Sequence, residues 1–222
     1  MSQIIAVINQ KGGVGKTTIS IQLAGAFTRA KLTTLLVDAD PQGTATKWIQ
    51  AAQEGSPSSI TAVSLASARG KLHQEVKKFL DMYSVIIVDC PPNAESEAWR
   101  SVLSIADLAI VPVRPDPGDL LSSVDFVNAA AKIAEISNPA LKMRFVASNI
   151  RNGTSLARAM RTDLEAIVPT VPLLENQLSQ RIAFPSSFEY GDSVHAMGSR
   201  GASAASEVDA LAVEILDVLK KG

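Results

Sequence analysis

Short apolar stretches recur along the chain without the alternation of apolar and polar residues that marks a half-exposed strand. Four of them, rich in Val, Ile and Leu, span residues 4–8, 35–37, 85–88 and 108–113. Strands that are covered on both faces have this composition, so the pattern predicts a parallel sheet. Two further strands are predicted later in the chain, over residues 143–148 and 167–171.

Stretches with helical spacing separate these strands. The main ones span residues 17–29, 69–80, 118–136 and 203–219. Strands that alternate with helices build βαβ units, and repeated units predict a three-layer α/β fold in which helices flank a mostly parallel, twisted sheet. No internal repeat or linker divides the chain, so residues 1–222 are expected to form a single domain.

Two segments interrupt this alternation. Residues 54–59 form a polar loop, and residues 181–202 are rich in Ser, Gly and Pro. Loops of the second length are usually functional or mobile, so we expect a long surface excursion there. The helix that follows carries one apolar stripe, made of Val208, Leu211, Ala212, Ile215 and Leu219. Such a stripe predicts a helix packed on the sheet.

Composition places the chain among ordinary globular proteins. Of its 222 residues, 46% are hydrophobic and 19% are charged, with 21 basic and 22 acidic side chains. This balance excludes the disordered and collagen-like classes. Because the net charge is −1, any contact with nucleic acid must come from a local basic patch.

Cysteine content and the length of the apolar runs exclude further classes of protein. The single cysteine, Cys90, excludes a disulfide framework and an all-cysteine metal site within one chain. No apolar run approaches the roughly 18 residues of a membrane span, and no basic-then-apolar leader follows Met1. We therefore expect a cytoplasmic protein.

The strongest chemical signal is a glycine-rich loop between the first predicted strand and the first predicted helix. It comprises Lys11, Gly12, Gly13, Val14, Gly15, Lys16, Thr17 and Thr18. Glycines allow backbone N–H groups to approach phosphate oxygens, and the following helix directs its positive dipole end to the same place. In such a P-loop, Lys16 reaches the β- and γ-phosphates and Thr17 ligates Mg²⁺. Gln10 stands where the standard pattern has glycine.

Carboxylates follow two of the other predicted strands. Asp89 ends the apolar run at residues 85–88, in the manner of the aspartate that holds Mg²⁺ through water in P-loop nucleotidases. Asp38 and Asp40 follow the strand at residues 35–37. The carboxyl ends of parallel strands lie at one edge of a sheet, so these acids should meet the phosphate loop there.

Together these features resemble the ParA/MinD family of ATPases, whose deviant Walker A motif carries an additional lysine. The loop at residues 11–18 matches that motif at every position, and the stretches at residues 38–43 and 85–89 also match. Residues 178–181 and 191–194 match more loosely. The resemblance implies a P-loop nucleotidase fold that hydrolyses ATP with Mg²⁺ as a homodimer.

The same resemblance implies roles for individual residues. Lys11 is similar to the lysine that crosses the dimer to touch the partner's nucleotide, so the implied catalytic residues are Lys11, Lys16 and Asp40. Asp40 would orient or activate the attacking water. The implied metal site consists of Thr17, Asp38 and Asp89. The nucleotide base is expected near Asn149 and Pro172.

Four branches of that family can be compared with this chain. The iron–sulfur branch needs a pair of cysteines per chain, and Cys90 is alone. MinD-type ATPases end in a basic membrane-targeting helix, whereas the last predicted helix carries Glu207, Asp209, Glu214 and Asp217. Long plasmid-partition ATPases have a DNA-binding domain before the P-loop, which here begins at residue 11. The short ParA type remains, which binds DNA without sequence preference.

Charge distribution bears on that DNA contact. Residues 142–181 contain three acids and six basic residues, namely Lys142, Arg144, Arg151, Arg158, Arg161 and Arg181. Arg158 and Arg161 are three apart, so they share one face of a helix. Without the resemblance, a solvated surface with scattered arginines is the simpler interpretation. With it, Arg158, Arg161 and Arg181 are the expected DNA contacts.

The resulting expectation is an ATP-dependent dimer on the nucleoid that partitions or positions a plasmid, a chromosome region or a protein cargo. A ParB-like or cargo-adaptor protein would stimulate hydrolysis, and no membrane contact is expected. Two alternatives stay open: a MinD-like ATPase on a membrane surface, and a small-molecule kinase or ligase such as a biotin-pathway synthetase. The identity of the cargo does not follow from these residues.

Overall fold

A computed structural model describes residues 2–52, 58–151 and 153–221. Its strands are β1 (Gln3–Val7), β2 (Thr34–Asp38), β3 (Thr61–Ser64), β4 (Val85–Asp89), β5 (Leu108–Val113) and β6 (Lys142–Ala147). They form one sheet in the order β3-β2-β4-β1-β5-β6, and every neighbouring pair is parallel. The phosphate loop follows β1, which lies in the middle of the sheet.

Helices cover both faces of this sheet. They are α1 (Lys16–Arg29), α2 (Thr44–Gln50), α3 (Leu72–Lys77), α4 (Glu97–Leu103), α5 (Pro117–Ser137), α6 (Ser155–Ile167), α7 (Ala183–Ser186) and α8 (Ala202–Lys220). One core packs α3 to α6 against the sheet, and the other packs α1, α2, α7 and α8 against the opposite face. The predicted three-layer α/β fold is therefore confirmed. None of the helices within the described ranges is long and apolar enough to cross a membrane.

The uninterrupted apolar runs are explained by this arrangement. In β1, Ile4 and Ala6 enter one core while Ile5 and Val7 enter the other. Both faces of the strand are buried, so neither face calls for polar residues. The first four predicted strands and the strand predicted at residues 143–148 all correspond to strands of the sheet.

Two strand assignments from the sequence are wrong. The pattern does not predict β3, because it is an edge strand whose four residues are exposed or half-buried and include two polar ones. The strand predicted at residues 167–171 does not form. The helix α6 continues to Ile167, and pairing near this position is a single bridge between Phe145 and Leu173. The helix predicted at residues 69–80 is also shorter, since α3 ends at Lys77.

Residues 181–202 are not a surface excursion. They fold into α7 and two 3₁₀ helices, Ser187–Tyr190 and Val194–Gly201, which pack against α1. The buried amide of Gln22 on α1 donates to Ser187 Oγ at 3.0 Å and accepts from Val194 N at 2.8 Å. Short helical turns without a long apolar period look like a loop in the sequence. Of the polar loop predicted at residues 54–59, residues 54–57 lie outside the described residues.

The packing of this segment on α1 is testable at Gly25. A Cβ atom added there would overlap Oγ and Cβ of Ser193. We expect Gly25→Ala to lower the free energy of unfolding by about 2 kcal/mol in urea denaturation, although alanine favours helix formation, because the overlap must be relieved. Ser193→Gly removes both clashing atoms, so the double variant should recover part of the loss. A Gly25→Ala protein as stable as the parent would contradict this packing.

Candidate active site

The phosphate loop connects the end of β1 to the start of α1. Gly13 and Gly15 adopt φ values of +75° and +92°, which L side chains rarely tolerate, and Gly15 caps the N-terminus of α1. A methyl group placed at Gly12 or Gly13 would meet no atom within 4 Å. Space beside these two glycines is therefore open, and α1, whose first N–H groups can bind phosphate, begins directly after the loop.

Lys16 folds back onto this loop. Its Nζ donates a hydrogen bond of 2.7 Å to the carbonyl oxygen of Lys11, and the residue is only 6% exposed. Burial lowers the pKa of Lys16, and the nearby Asp89 opposes that shift. A buried ammonium with one carbonyl partner has two more protons to donate, which suits it to bind phosphate oxygens.

Asp89 lies at the end of β4 beside the first turn of α1. Its Oδ2 accepts a bond of 2.7 Å from Thr17 Oγ1, and its Oδ1 accepts one of 3.2 Å from Ser20 Oγ. Burial raises the pKa of Asp89 to about 7, and the bond from Thr17 opposes the shift. A hydroxyl beside a carboxylate is a donor set that Mg²⁺ prefers, so Thr17 and Asp89 fit a metal that is also held by phosphate oxygens.

Loss of hydration therefore lowers the pKa of Lys16 and raises that of Asp89, so it favours the neutral form of each group. A ligand that carries anionic phosphates and a cation would reverse both shifts. The anion favours the charged lysine, and the cation favours the charged carboxylate. The electrostatics of the site thus match a magnesium–polyphosphate better than either ion alone.

Asp38 pairs in register with Asp89 across β2 and β4. Its Oδ1 accepts from Asp40 N at 3.1 Å, and its Oδ2 accepts from Thr46 N and Oγ1 at 2.8 and 2.9 Å. The carboxylate is thus already used to hold the loop that carries Asp40. This geometry gives Asp38 a role as a brace for that loop, and its place in the expected metal site stays a prediction. Asp40 itself is half-buried and accepts a bond of 2.9 Å from Gln42 N.

The side chain of Lys11 has different surroundings from that of Lys16. It is 40% exposed, and its Nζ lies 3.8 Å from Asp119 Oδ1 on α5. The other oxygen of Asp119 lies 4.0 Å from Arg114 Nε. Half-exposed pairs at such distances stabilise a conformation by at most about 1 kcal/mol, so Lys11 is free to leave.

Side chains that precede the loop tie it to α5. Asn9 Nδ2 donates to Pro112 O at 2.8 Å and to Ser123 Oγ at 2.9 Å. Gln10 Nε2 donates to the carbonyl oxygen and hydroxyl of Ser122 at 2.8 and 2.7 Å. Gln10 therefore has a structural reason to replace the glycine of the standard pattern. No sequence pattern signals this role, because the bonding partners lie more than 100 residues away.

A cavity of about 160 Å³, here called the nucleoside pocket, adjoins the phosphate loop. Its lining includes Gly13, Gly15, Asn149, Leu178, Arg181 and Phe184. Of the two residues near which the base is expected, Asn149 lines this cavity and Pro172 does not. The carbonyl oxygen of Pro172 accepts a hydrogen bond from Phe145 N instead. The resemblance singles out residues 178–181 without assigning them to this cavity, and sequence reasoning misses Phe184 and Pro185, which no periodic pattern or motif marks.

The three expected DNA contacts have different surroundings. Arg158 and Arg161 both lie on α6, and Arg158 is exposed. Arg161 contacts Glu175 at 3.2 Å, and Arg181 contacts Glu207 at 2.7 Å. Two of the three guanidinium groups are therefore paired with carboxylates, and Arg181 lines the nucleoside pocket instead of extending an open basic face.

Comparison with known proteins agrees with this geometry. A family profile described as the CobQ/CobB/MinD/ParA nucleotide-binding domain matches residues 5–194. The chain belongs to this family. The expected family and enzyme class are confirmed: it is an ATPase of the ParA/MinD type, which uses ATP with Mg²⁺.

Individual relatives extend over nearly the whole chain. The maintenance of carboxysome distribution protein A of Halothiobacillus neapolitanus is 31% identical over 215 residues, which is 96% of this chain and 95% of that protein. The apo McdA structure from Cyanothece shares the fold, with a TM-score of 0.78 at 13% identity over 96% of this chain and all of its own. So does the cell division ATPase MinD of Pyrococcus furiosus, with a TM-score of 0.72 at 21% identity over 98% and 100% of the two chains.

The raised pKa of Asp89 predicts a pH dependence of stability. Between about pH 4 and pH 7, the nucleotide-free folded protein keeps a proton that the unfolded chain has released, since the ordinary pKa is 3.8. The free energy of unfolding should therefore fall as pH rises through this window, by on the order of a few kcal/mol. Asp89→Asn removes the titrating group, so most of this decline should be absent in the variant. Chemical denaturation at pH 5, 6.5 and 8 measures it.

Asp217→Asn is the matched control for this prediction, because Asp217 is an exposed residue on α8 that pairs with Lys220 one turn away. The control should keep the decline of the parent protein. Parallel pH profiles for Asp89→Asn and the parent would show that Asp89 is ionised in the folded protein well below neutral pH.

Proposed function

We propose that this ATPase is a nucleotide-driven switch in which ATP joins two copies of the chain, each extending Lys11 to the nucleotide of the other. The contrast between the two lysines carries this proposal. Lys16 is buried and bonded to its own loop, while the Lys11 side chain is 40% exposed and, among the described residues, is held only by a loose contact with Asp119. A second copy that presents phosphate to Lys11 would compete easily with that contact.

Hydrolysis would then depend on the assembled pair. Water attacks the γ-phosphorus, the bond to the β-phosphate oxygen breaks, and ADP and phosphate leave. Lys11 would place positive charge on the transferring group, a role that in arginine fingers is worth about 10³–10⁵ in rate. Asp40, on the loop that Asp38 braces, would orient the water. Mg²⁺ at Thr17 and Asp89 would neutralise charge that develops on the phosphates.

The cargo that we propose is a large protein assembly, recognised through an adaptor protein that stimulates hydrolysis. Support comes from the relative named for carboxysome distribution, which matches along almost its full length. A plasmid or a chromosome region is the other cargo compatible with the family. In either case we propose that residues 1–222 act as one domain and that the nucleoid is the surface on which the protein moves.

Fewer basic residues are available for the proposed contact with nonspecific DNA than the charge distribution along the sequence suggests. Lys142 donates to the carbonyl oxygen of Val218, and Arg144 donates to that of Met143. Arg151 Nε donates to Gln180 Oε1 at 2.6 Å. With Arg161 and Arg181 in ion pairs, five of the six basic residues are engaged within the fold. Arg158 is exposed and has no ion pair among the described residues, so it is the contact we favour.

The roles of the two lysines can be separated by substitution. Lys11→Ala should bind ATP nearly as well as the parent but stay monomeric, because its contribution is made across the pair. Lys16→Ala should lose nucleotide binding altogether. Light scattering with ATP and Mg²⁺ gives the mass, and a fluorescent ATP analogue gives the affinity.

Lys78→Ala is the matched control for these variants. It removes an exposed lysine just after α3, whose partner is Glu75 and which lines neither the phosphate loop nor the nucleoside pocket. This variant should behave like the parent in both measurements. An ATP-dependent dimer of Lys11→Ala would refute the proposed crossing.

DNA binding can be tested with a random-sequence duplex over a salt series in the presence of ATP. Arg158→Ala should weaken binding and reduce the salt slope by about 0.9 for each phosphate that is no longer neutralised, or about 2 for a dimer. Arg161→Ala should change the slope less, since Glu175 already pairs with that guanidinium. An unchanged slope for Arg158→Ala would remove it as a contact. Binding to anionic vesicles but not to duplex would favour the MinD-like alternative.

A further inference from the structure

Two acidic residues of α8 point inward, at the chain segment that forms one wall of the nucleoside pocket. This wall segment, residues 174–181, runs beside β6 and the residues after it. Leu178 N donates to Ala147 O at 3.0 Å, and Gln180 N donates to Ile150 O at 2.7 Å. These bonds hold one edge of the segment. Glu207 and Glu214 hold the other edge, and they are two helical turns apart on the same face of α8.

Glu207 bonds to residues that line the pocket. Its Oε2 accepts from Ser179 N at 2.9 Å, and its Oε1 accepts from Arg181 Nε and Nη2 at 2.9 and 2.7 Å. Its side chain is 19% exposed. Burial opposes ionisation, but the bonds from Arg181 and Ser179 outweigh it and lower the pKa of Glu207. The carboxylate is thus charged at neutral pH and makes three bonds, two of them to a cation.

Glu214 bonds to the start of the same segment but not to the pocket. Its Oε1 accepts from Glu175 N at 2.7 Å, and its Oε2 accepts from Asn176 N and Nδ2, both at 2.8 Å. Neither Glu175 nor Asn176 lines the nucleoside pocket. The two glutamates therefore share a helix, a residue type and a number of bonds, and differ in whether their partners touch the pocket.

An open groove lies on the other side of the wall segment. It has a volume of about 890 Å³, and Ser179, Arg181 and Glu207 contribute to its lining. Ser179 and Arg181 line the nucleoside pocket as well, so they separate the two spaces. The Arg181 side chain is 35% exposed, and Glu207 is the carboxylate that pairs with it in the part of the chain that the structure describes. Loss of the Glu207 charge would therefore weaken the bonds that fix this guanidinium between the pocket and the groove.

We infer that Glu207 is a positioning residue for the nucleoside half of the bound nucleotide, acting through Ser179 and Arg181. The inference rests on the proposed function in one respect, namely that the nucleoside occupies this pocket. The phosphates are bound by a loop that Glu207 does not touch. Loss of the Glu207 charge should therefore weaken the binding of nucleotides while sparing both phosphate binding and the chemical step.

The test compares Glu207→Gln with Glu214→Gln in the full chain. Displacement of a fluorescent ADP analogue by unlabelled ADP, or by inorganic tripolyphosphate, separates the nucleoside from the phosphate contribution. Glu207→Gln should weaken ADP binding about tenfold, which is the size of one charge-assisted hydrogen bond, and leave tripolyphosphate binding within about twofold. In steady-state hydrolysis it should raise KM by a similar factor with little change in kcat. Glu214→Gln should leave both ligands nearly unaffected.

The possible outcomes separate the role of Glu207 from the existence of the pocket. Equal ADP affinity for Glu207→Gln and the parent would overturn the inference. So would an equal decrease in Glu214→Gln, which would indicate general loosening of the segment, or a parallel decrease in tripolyphosphate binding. A parent protein that binds tripolyphosphate but gains no affinity from the nucleoside of ADP would instead refute the nucleoside pocket itself, and with it this part of the proposed function.

Discussion

The burial of one ammonium and one carboxylate at the carboxyl edge of the sheet is the constraint on which the rest of the molecule depends. Lys16 and Asp89 lose hydration where β1 and β4 end side by side, and burial makes the charged form of each less favourable. Thr17, Ser20 and the carbonyl of Lys11 offset part of that cost. A magnesium–polyphosphate offsets more of it, so the polar pair makes the loop a binding site while the apolar sheet keeps that pair in place.

The parts of this fold that could be predicted from sequence are those determined by local pattern. The central strands are apolar throughout because both faces are covered, and the phosphate loop is a single run of residues whose motif can be recognised without knowledge of distant contacts. Edge strand β3 could not be predicted, because it pairs with the sheet on one side only and its four residues do not form an apolar run. Residues 167–171 are apolar yet form the end of α6 and a turn, since Val168 and Val171 are buried there by tertiary contacts.

The site divides in the same way. Its phosphate half is local in sequence and is braced by α5 through Asn9 and Gln10. The half that we propose for the nucleoside is assembled from residues of two distant stretches, 148–149 and 178–185, and only the loose family match at residues 178–181 singles out part of them. The side chains that hold this part of the site accept hydrogen bonds from backbone N–H groups far away in sequence, as Glu207 does from Ser179. Such bonds cannot be predicted from composition or residue spacing, because they depend on the final packing of α8.

This division also changes what the acidic composition of α8 means. If the four acidic residues of the last helix formed an outward face, they would argue against attraction of the protein to an anionic membrane. In the structure Glu207 and Glu214 bond to the wall segment, and Asp209 lies 2.8 Å from His195 Nε2. Glu207 is paired with the Arg181 guanidinium, and the bonds of Glu214 and Asp209 direct their carboxylates towards other parts of the protein, so these acids do not form the free outward face that the sequence suggests. The stronger consequence lies inside the molecule: α8 holds the wall of the proposed nucleoside pocket and α5 braces the phosphate loop, so the two supports of the proposed site belong to opposite layers of the fold.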